Sequence, residues 1–335
     1  MSTGAPLIEV ENLGVRLNTS WGPAQAVRQL SFSLRRGETL GLVGESGCGK
    51  TVTALALMGL LPDGALVSGS VKLDGRELVT LSDADYCELR GNRMSMIFQE
   101  PMTALNPVHT IGRQVAEPLR RHKRYSAAQA RREAVALLDR VGLPDAARRV
   151  DAYPHQLSGG QRQRVTIAMA LACEPDLLIA DEPTTALDVT LQGQILDLIA
   201  DLVEERGMSM ILISHDLGVI GENVERMMVM YGGTVVESGP TDEVFRRMGH
   251  PYTQGLFRAR PQLGAKRGTR LRTIAGIVPE LVDLPTGCVF ADRCPIVEDR
   301  CRAALPPVVE VDTGHGVRCL RTDVSMEEAS GAQPA

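Results

Sequence analysis

The sequence predicts an α/β fold built around one glycine-rich loop, and three observations support this prediction. The loop reads Gly44-Glu45-Ser46-Gly47-Cys48-Gly49-Lys50-Thr51 and fits the pattern G-x-x-x-x-G-K-[ST] at every fixed position. An apolar run at 38–43 precedes it and an Ala- and Leu-rich run at 52–61 follows it, which predicts a strand–loop–helix unit. Further apolar runs at 94–98, 177–180 and 208–214 indicate buried strands.

This loop has the composition of a phosphate-binding loop. Its glycines leave room for successive backbone N–H groups to point at phosphate oxygens, and the start of the next helix adds its positive end. Lys50 is predicted to reach the β- and γ-phosphates of a nucleotide, and Thr51 to offer its hydroxyl to Mg²⁺.

The bulk composition narrows the class of protein. With 335 residues, 44% hydrophobic and 23% charged, the chain resembles a soluble globular protein of one large domain or two ordinary ones. A net charge of −5 and an aromatic content of 3% give no sign of a nucleic-acid partner. No apolar run approaches the ~18 residues of a membrane helix, and 1–6 lacks a secretory pattern, so we expect a cytoplasmic chain.

Four segments before and after the glycine-rich loop have the patterns of antiparallel strands. Apolar and polar residues alternate along 7–17 and 26–34, and 68–75 and 226–239 read as hairpins. Trp21, the only tryptophan, falls between the first two strands. Two interpretations of its ring stay open, stacking on adenine and covering the sheet edge.

An arginine-rich stretch from 111 to 171 predicts an inserted helical subdomain, with outer bounds at about 100–172. It contains Leu157-Ser158-Gly159-Gly160-Gln161 directly before an apolar helical run. A serine and two glycines at the start of a helix form a second potential anion site, because a hydroxyl, free N–H groups and the helix dipole coincide there.

Polar residues follow the predicted strands where each one ends. Gln99 follows the strand at 94–98, and Asp181 with Glu182 follow the strand at 177–180. His215 follows the strand at 208–214, and Asp188 precedes the next helical run. Open α/β sheets bind ligands at the carboxyl ends of their strands, so these side chains are candidates for metal binding and catalysis.

This ordered set of motifs resembles the nucleotide-binding subunit of ABC transporters over about 7–239. The resemblance implies a P-loop ABC ATPase core with a RecA-like mixed sheet, an antiparallel β subdomain and the helical insertion. It identifies residues 157–161 as the signature that binds ATP, and Asp188 as the D-loop residue. Asp181 would bind Mg²⁺ with Thr51 and Gln99, Glu182 would be the catalytic base, and Gln99 and His215 would act beside it.

The C-terminal part narrows the resemblance to oligopeptide and dipeptide importer ATPases. Gly249-His250-Pro251-Tyr252-Thr253-Gln254 looks like the start of their extension, and 274–279 resembles its Ile-Pro-Gly segment. We therefore predict a nucleotide-binding domain at 1–248 and an extension at 249–335.

The extension holds four of the seven cysteines, Cys288, Cys294, Cys301 and Cys319, in a C-x5-C-x6-C-x17-C spacing. Four thiolates suit an iron–sulfur cluster or structural zinc, although zinc ribbons usually space cysteines more closely. The resemblance favours a [4Fe–4S] cluster, with zinc and four unligated thiols as the alternatives. Nearby arginines are predicted to offset the charge of such a cluster: Arg293, Arg300, Arg302 and Arg318.

The resemblance also implies the partners and the location. They are a second ATPase subunit, expected to be a different chain, two transmembrane permease subunits and an extracytoplasmic binding protein. The chain would sit peripherally on the cytoplasmic face of the cell membrane. Peptides are the expected cargo; nickel, opine or glutathione import and a soluble regulatory ATPase are the alternatives.

Overall fold

The computed structural model describes residues 5–185, 187–259 and 273–322. The first part of the chain forms β1 (Ile8–Thr19), β2 (Gly22–Leu34), β3 (Thr39–Val43), α1 (Lys50–Leu57), β4 (Leu66–Leu73), β5 (Arg76–Glu77), α2 (Asp83–Leu89) and β6 (Met94–Ile97). The glycine-rich loop connects β3 to α1, as predicted.

The insertion is helical throughout. It contains α3 (Pro101–Ala104), α4 (Ile111–His122), α5 (Ala127–Arg140), α6 (Ala146–Arg149), a 3-10 turn (Pro154–Gln156) and α7 (Gly159–Leu171). Ser126 caps α5 and Ser158 caps α7, each in a capping box with a glutamine three residues later.

The core then resumes and leads into the extension. It continues through β7 (Leu177–Asp181), α8 (Val189–Arg206), β8 (Ser209–Ser214), α9 (Leu217–Asn223), β9 (Arg226–Tyr231), β10 (Thr234–Pro240) and α10 (Thr241–Arg247). The extension adds α11 (Pro251–Arg258), a 3-10 turn (Ala291–Arg293), α12 (Asp299–Ala303), β11 (Val309–Asp312) and β12 (His315–Val317).

The described strands form two sheets. The smaller sheet is antiparallel, in the order β2-β1-β4-β5. The larger sheet has the order β11-β12-β10-β9-β3-β8-β7-β6, with parallel pairing from β9 to β6 and antiparallel pairing from β9 to β11. The extension therefore contributes the edge of the main sheet, because β12 pairs with β10.

The main sheet is buried on both faces. On β7, Leu177 and Ile179 belong to one apolar cluster with α1 and the smaller sheet, whereas Leu178 and Ala180 belong to another with α7 and α8. A strand covered on both sides needs apolar residues at every position, which explains the continuous apolar runs of the sequence. In the part of the chain that the structure describes, no helix is long and apolar enough to span a membrane.

Candidate functional site: a P-loop and the carboxyl edge of the main sheet

The candidate site lies where four parallel strands end together. The P-loop follows β3, Gln99 comes two residues after β6, Asp181 is the last residue of β7, and His215 follows β8. Since β3, β8, β7 and β6 are neighbours in that order, their carboxyl ends form one continuous edge.

The P-loop needs its glycines for backbone conformation and for close approach. Gly49 has a φ of 104°, in the left-handed region, and a β-carbon there would overlap the carbonyl of Ala26. The Lys50 side chain is 5% exposed, and its Nζ donates to the carbonyl oxygens of Gly44 at 2.8 Å and Glu45 at 3.2 Å. The cation thus lies folded over its own loop, where phosphates would approach.

Asp181 and Thr51 form the candidate Mg²⁺ site. Thr51 Oγ1 donates to Asp181 Oδ1 over 3.3 Å, and the aspartate is 1% exposed. Burial, with the neighbouring Glu182 charge adding to it, raises the pKa of Asp181 to about 6. A buried carboxylate beside a hydroxyl is a donor set that suits Mg²⁺, which also takes water and phosphate oxygens.

The Glu182 carboxylate is in contact with three other polar side chains of the site. Its Oε2 lies 3.3 Å from Gln99 Nε2 and 3.2 Å from His215 Nδ1, and Lys50 Nζ lies 3.8 Å from Oε1. Its backbone has a φ of 45°, in the left-handed region that non-glycine residues adopt uncommonly. The structure therefore brings together Gln99, Glu182, His215 and Lys50.

Thr185 is a residue of this site that the sequence reasoning missed. Its Oγ1 donates to Glu182 Oε2 over 3.1 Å, which helps to orient the carboxylate. The signal was present in the sequence, because a hydroxyl three residues after a strand-end glutamate can reach back to it.

The predicted signature lies at the start of α7, away from this cluster. Ser158 Oγ accepts from the Gln161 N–H at 3.3 Å, and Gln161 Oε1 accepts from the Ser158 N–H at 3.1 Å. Gly160 is buried, and a β-carbon there would overlap the Leu191 side chain of α8. Asp188 caps α8 by accepting from the Leu191 N–H at 3.0 Å, so Leu191 neighbours both the predicted signature and the predicted D-loop residue.

Trp21 lies in the turn between β1 and β2 and is 84% exposed. Its ring therefore does not cover the sheet edge, which was one of the two interpretations. An exposed ring at this turn is available to a ligand or a partner.

The four cysteines of the extension line one cavity, together with His250. Burial raises the pKa of Cys288 to about 11 and that of Cys294 to about 12, so these thiols stay protonated at neutral pH. His250 Nδ1 accepts from the Tyr252 N–H, and its buried Nε2 has no partner. The all-sulfur donor set suits a soft metal centre.

The geometry of a formed metal site is nevertheless missing. Among the described residues, no group of three or more His, Cys, Asp or Glu side chains is arranged to hold a metal ion. The cavity measures about 10 Å³, about the space that one water molecule needs. The structure therefore does not support the predicted [4Fe–4S] cluster or its zinc alternative.

The arginines expected to offset a cluster charge bind other groups. Arg293 pairs with Glu45, Arg300 with Glu298 and Arg302 with Asp292. Arg318 donates to the carbonyl oxygens of Val235 and Pro306. In the structure these guanidinium groups are directed at carboxylates and carbonyls, and their effect on a cluster charge stays a prediction.

The loop, the strand-end carboxylates and the inserted helical subdomain define an ABC-type ATPase, and comparison with known proteins agrees. A family model described as "ABC transporter" matches residues 27–185, and one described as "Oligopeptide/dipeptide transporter, C-terminal region" matches 236–301. The chain belongs to the family of ATP-binding subunits of ABC transporters, in the oligopeptide/dipeptide branch that carries this C-terminal region.

Relatives share most of the chain. A Brucella abortus protein named as a peptide import ATP-binding protein is 51% identical over 328 residues, covering 94% of this chain and 97% of that protein. The oligopeptide transport ATP-binding protein OppD of Mycobacterium tuberculosis is 48% identical over 96% of this chain, which spans 52% of OppD. The dimeric ATP-binding cassette MJ0796 bound to ADP and Pi aligns with a TM-score of 0.63 at 28% identity, covering 70% of this chain and 98% of that one.

Proposed function

We propose that this ATPase powers the import of peptides across the cytoplasmic membrane through partner permease subunits. The observation that carries the proposal is that the P-loop lies against two strand-end carboxylates: Lys50 is close to Glu182, and Thr51 binds Asp181. Peptide cargo is supported by the relatives named for peptide import.

In the proposed reaction, water attacks the γ-phosphorus of ATP and the bond to the β–γ bridging oxygen breaks, releasing ADP and phosphate. Glu182 accepts the proton of the attacking water, and Gln99, Thr185 and His215 hold its carboxylate. Lys50 exchanges its two loop carbonyls for the β- and γ-phosphate oxygens. Asp181 and Thr51 would hold Mg²⁺, which offsets phosphate charge when bound.

ATP binding is proposed to join two ATPase subunits head to tail. Ser158, Gly160 and Gln161 of one subunit would then bind the γ-phosphate held by Lys50 of the other. Ser158 and Gly159 are exposed at the N-terminus of α7, which leaves this helix end accessible to a second subunit. The dimeric form of the cassette MJ0796 supports this arrangement.

We place the chain peripherally on the cytoplasmic face of the membrane, with a non-identical ATPase partner, two permeases and an external binding protein. Trp21 is proposed to stack on adenine, since its ring is free. Nickel, opine or glutathione import would use the same ATPase chemistry. A soluble regulatory ATPase is disfavoured, because the closely similar relatives are named for transport.

We further propose that the four cysteines bind a sulfur-ligated metal centre, a [4Fe–4S] cluster ahead of zinc. The proposal is supported by the position of the four thiols around one cavity. Their side chains would have to rearrange to hold a metal, because the described residues contain no formed ligand set. The four cysteines would hold the metal as thiolates, so binding would release their protons.

The ATPase proposal is tested by replacing the proton acceptor. Glu182→Gln should lower turnover at least about a hundredfold while ATP binding, followed with a fluorescent nucleotide, is retained. Glu174→Gln, on an exposed glutamate that pairs with Arg206, is the matched control and should keep wild-type turnover. Unchanged turnover in Glu182→Gln would remove this residue from its role.

A further inference from the structure

The C-terminal extension reaches the P-loop through Arg293. Its Nη1 lies 2.6 Å from Glu45 Oε2 and its Nη2 lies 3.2 Å from Glu45 Oε1, a two-pronged ion pair between residues 248 positions apart. The Arg293 side chain is 5% exposed and that of Glu45 is 29% exposed. A guanidinium that grips a carboxylate with two N–H groups fixes its orientation as well as its charge.

The remaining donors of Arg293 are also used. Nε donates to the Ala275 carbonyl at 2.9 Å, Nη2 to the Ile274 carbonyl at 3.2 Å and Nη1 to Tyr231 Oη at 3.3 Å. With the two bonds to Glu45, all five guanidinium N–H groups have an acceptor. Backbone carbonyl groups of the segment at 274–276 thus hold the Arg293 side chain in the orientation that reaches the P-loop.

Glu45 is held from its backbone as well. Its N–H donates to Tyr252 Oη at 2.8 Å, and its carbonyl accepts from Lys50 Nζ at 3.2 Å. Tyr252 is itself fully buried and belongs to the extension. The extension therefore holds the second residue of the P-loop twice, with Arg293 at the side chain and Tyr252 at the backbone N–H.

The charge of Glu45 explains why such a contact is useful. A carboxylate at the second position of a phosphate-binding loop repels the triphosphate that the loop must bind. Arg293 cancels that charge in a mostly buried place, where solvent screens it weakly.

We propose that Arg293 is a positioning residue for ATP binding, which acts by neutralising and orienting Glu45. The extension is then a working part of the nucleotide site. This inference rests on the assignment of the P-loop to ATP and is independent of the transported cargo and of any metal in the extension.

The test is a double-mutant cycle read out as ATP affinity. Arg293→Gln leaves Glu45 unpaired and should weaken ATP binding about tenfold, with a larger loss at low salt. Glu45→Gln should stay within about threefold of wild type, and Glu45→Gln with Arg293→Gln should recover to within about threefold. Read as steady-state kinetics, the loss in Arg293→Gln should fall mainly on KM for ATP rather than on kcat, because the proposed role of Arg293 is in ATP binding and Glu182 is untouched.

Two further variants separate the possible causes. Arg302→Gln removes an exposed arginine that pairs with Asp292 on the same extension, and it should bind ATP like wild type. Arg293→Lys keeps the charge without the two-pronged grip and should fall between wild type and Arg293→Gln. If Arg293→Gln fails to fold, the ATP affinity of Arg293→Lys tests the proposal in its place.

Wild-type ATP affinity in Arg293→Gln would overturn the proposal. So would a double variant that binds as weakly as Arg293→Gln, since that result would mean a purely structural role. A failure of the ATPase proposal would give a different result, namely unchanged turnover in Glu182→Gln.

Discussion

At the scale of single residues, Asp181 carries the clearest electrostatic signal. Its pKa is raised from 3.8 to about 6 by burial, so the folded, nucleotide-free chain holds a proton there that the unfolded chain has lost. Between these two pH values the native state binds more protons, and its stability falls as the pH rises. Burial of the ionised Asp181 carboxylate is thus unfavourable until a cation binds beside it.

Asp181→Asn should therefore stabilise the nucleotide-free protein at pH 7, by up to about 3 kcal/mol, and should have little effect near pH 4. The measurement is the free energy of unfolding of both proteins at the two pH values. A stability difference that does not depend on pH would contradict the raised pKa.

The residues of the catalytic cluster could largely be proposed from sequence, but the contacts of Glu45 could not. Gln99, Asp181 and His215 each follow an apolar run, and parallel strands must end at one edge. The Arg293–Glu45 pair joins residues 248 apart, and no periodicity links them. From the sequence, Arg293 was instead predicted to offset the charge of a cysteine-bound cluster, because its neighbour is Cys294.

At the scale of elements, local chemistry decided which predictions were accurate. The hairpin between β4 and β5 turns at Asp74 and Gly75, with φ values of 48° and 75°, as an Asp-Gly turn requires. The helix predicted at 52–61 is wrong at both ends, since α1 begins at Lys50 and stops at Leu57. Gly59, with a φ of 62° and packed against Tyr86, ends it where the apolar run continues.

The extension offers a test of the metal proposal. Protein purified without oxygen should absorb near roughly 400 nm, as thiolate-bound iron–sulfur centres do. Cys288→Ser should lose this absorbance, whereas Cys87→Ser, outside the cavity, should keep it. Colourless protein with one zinc per chain would overturn the assignment to iron and sulfur.

At the scale of the whole molecule, the extension is built into the ATPase core. β12 pairs with β10, and buried His315 contacts buried Glu237 at 2.8 Å, while Arg293 reaches the P-loop. The division at 248 and 249 stays a prediction from sequence. The motif at 249–254 marks where the extension begins, but it cannot show which strand completes which sheet.

The central claim is that one nucleotide is bound by the P-loop of one subunit and by the signature of another. The most direct measurement is ATPase turnover per chain against protein concentration, with and without the partner ATPase subunit, alongside the sedimentation mass. Turnover should rise as dimers form and vanish on dilution to monomers. Full, concentration-independent turnover by a monomer would contradict it.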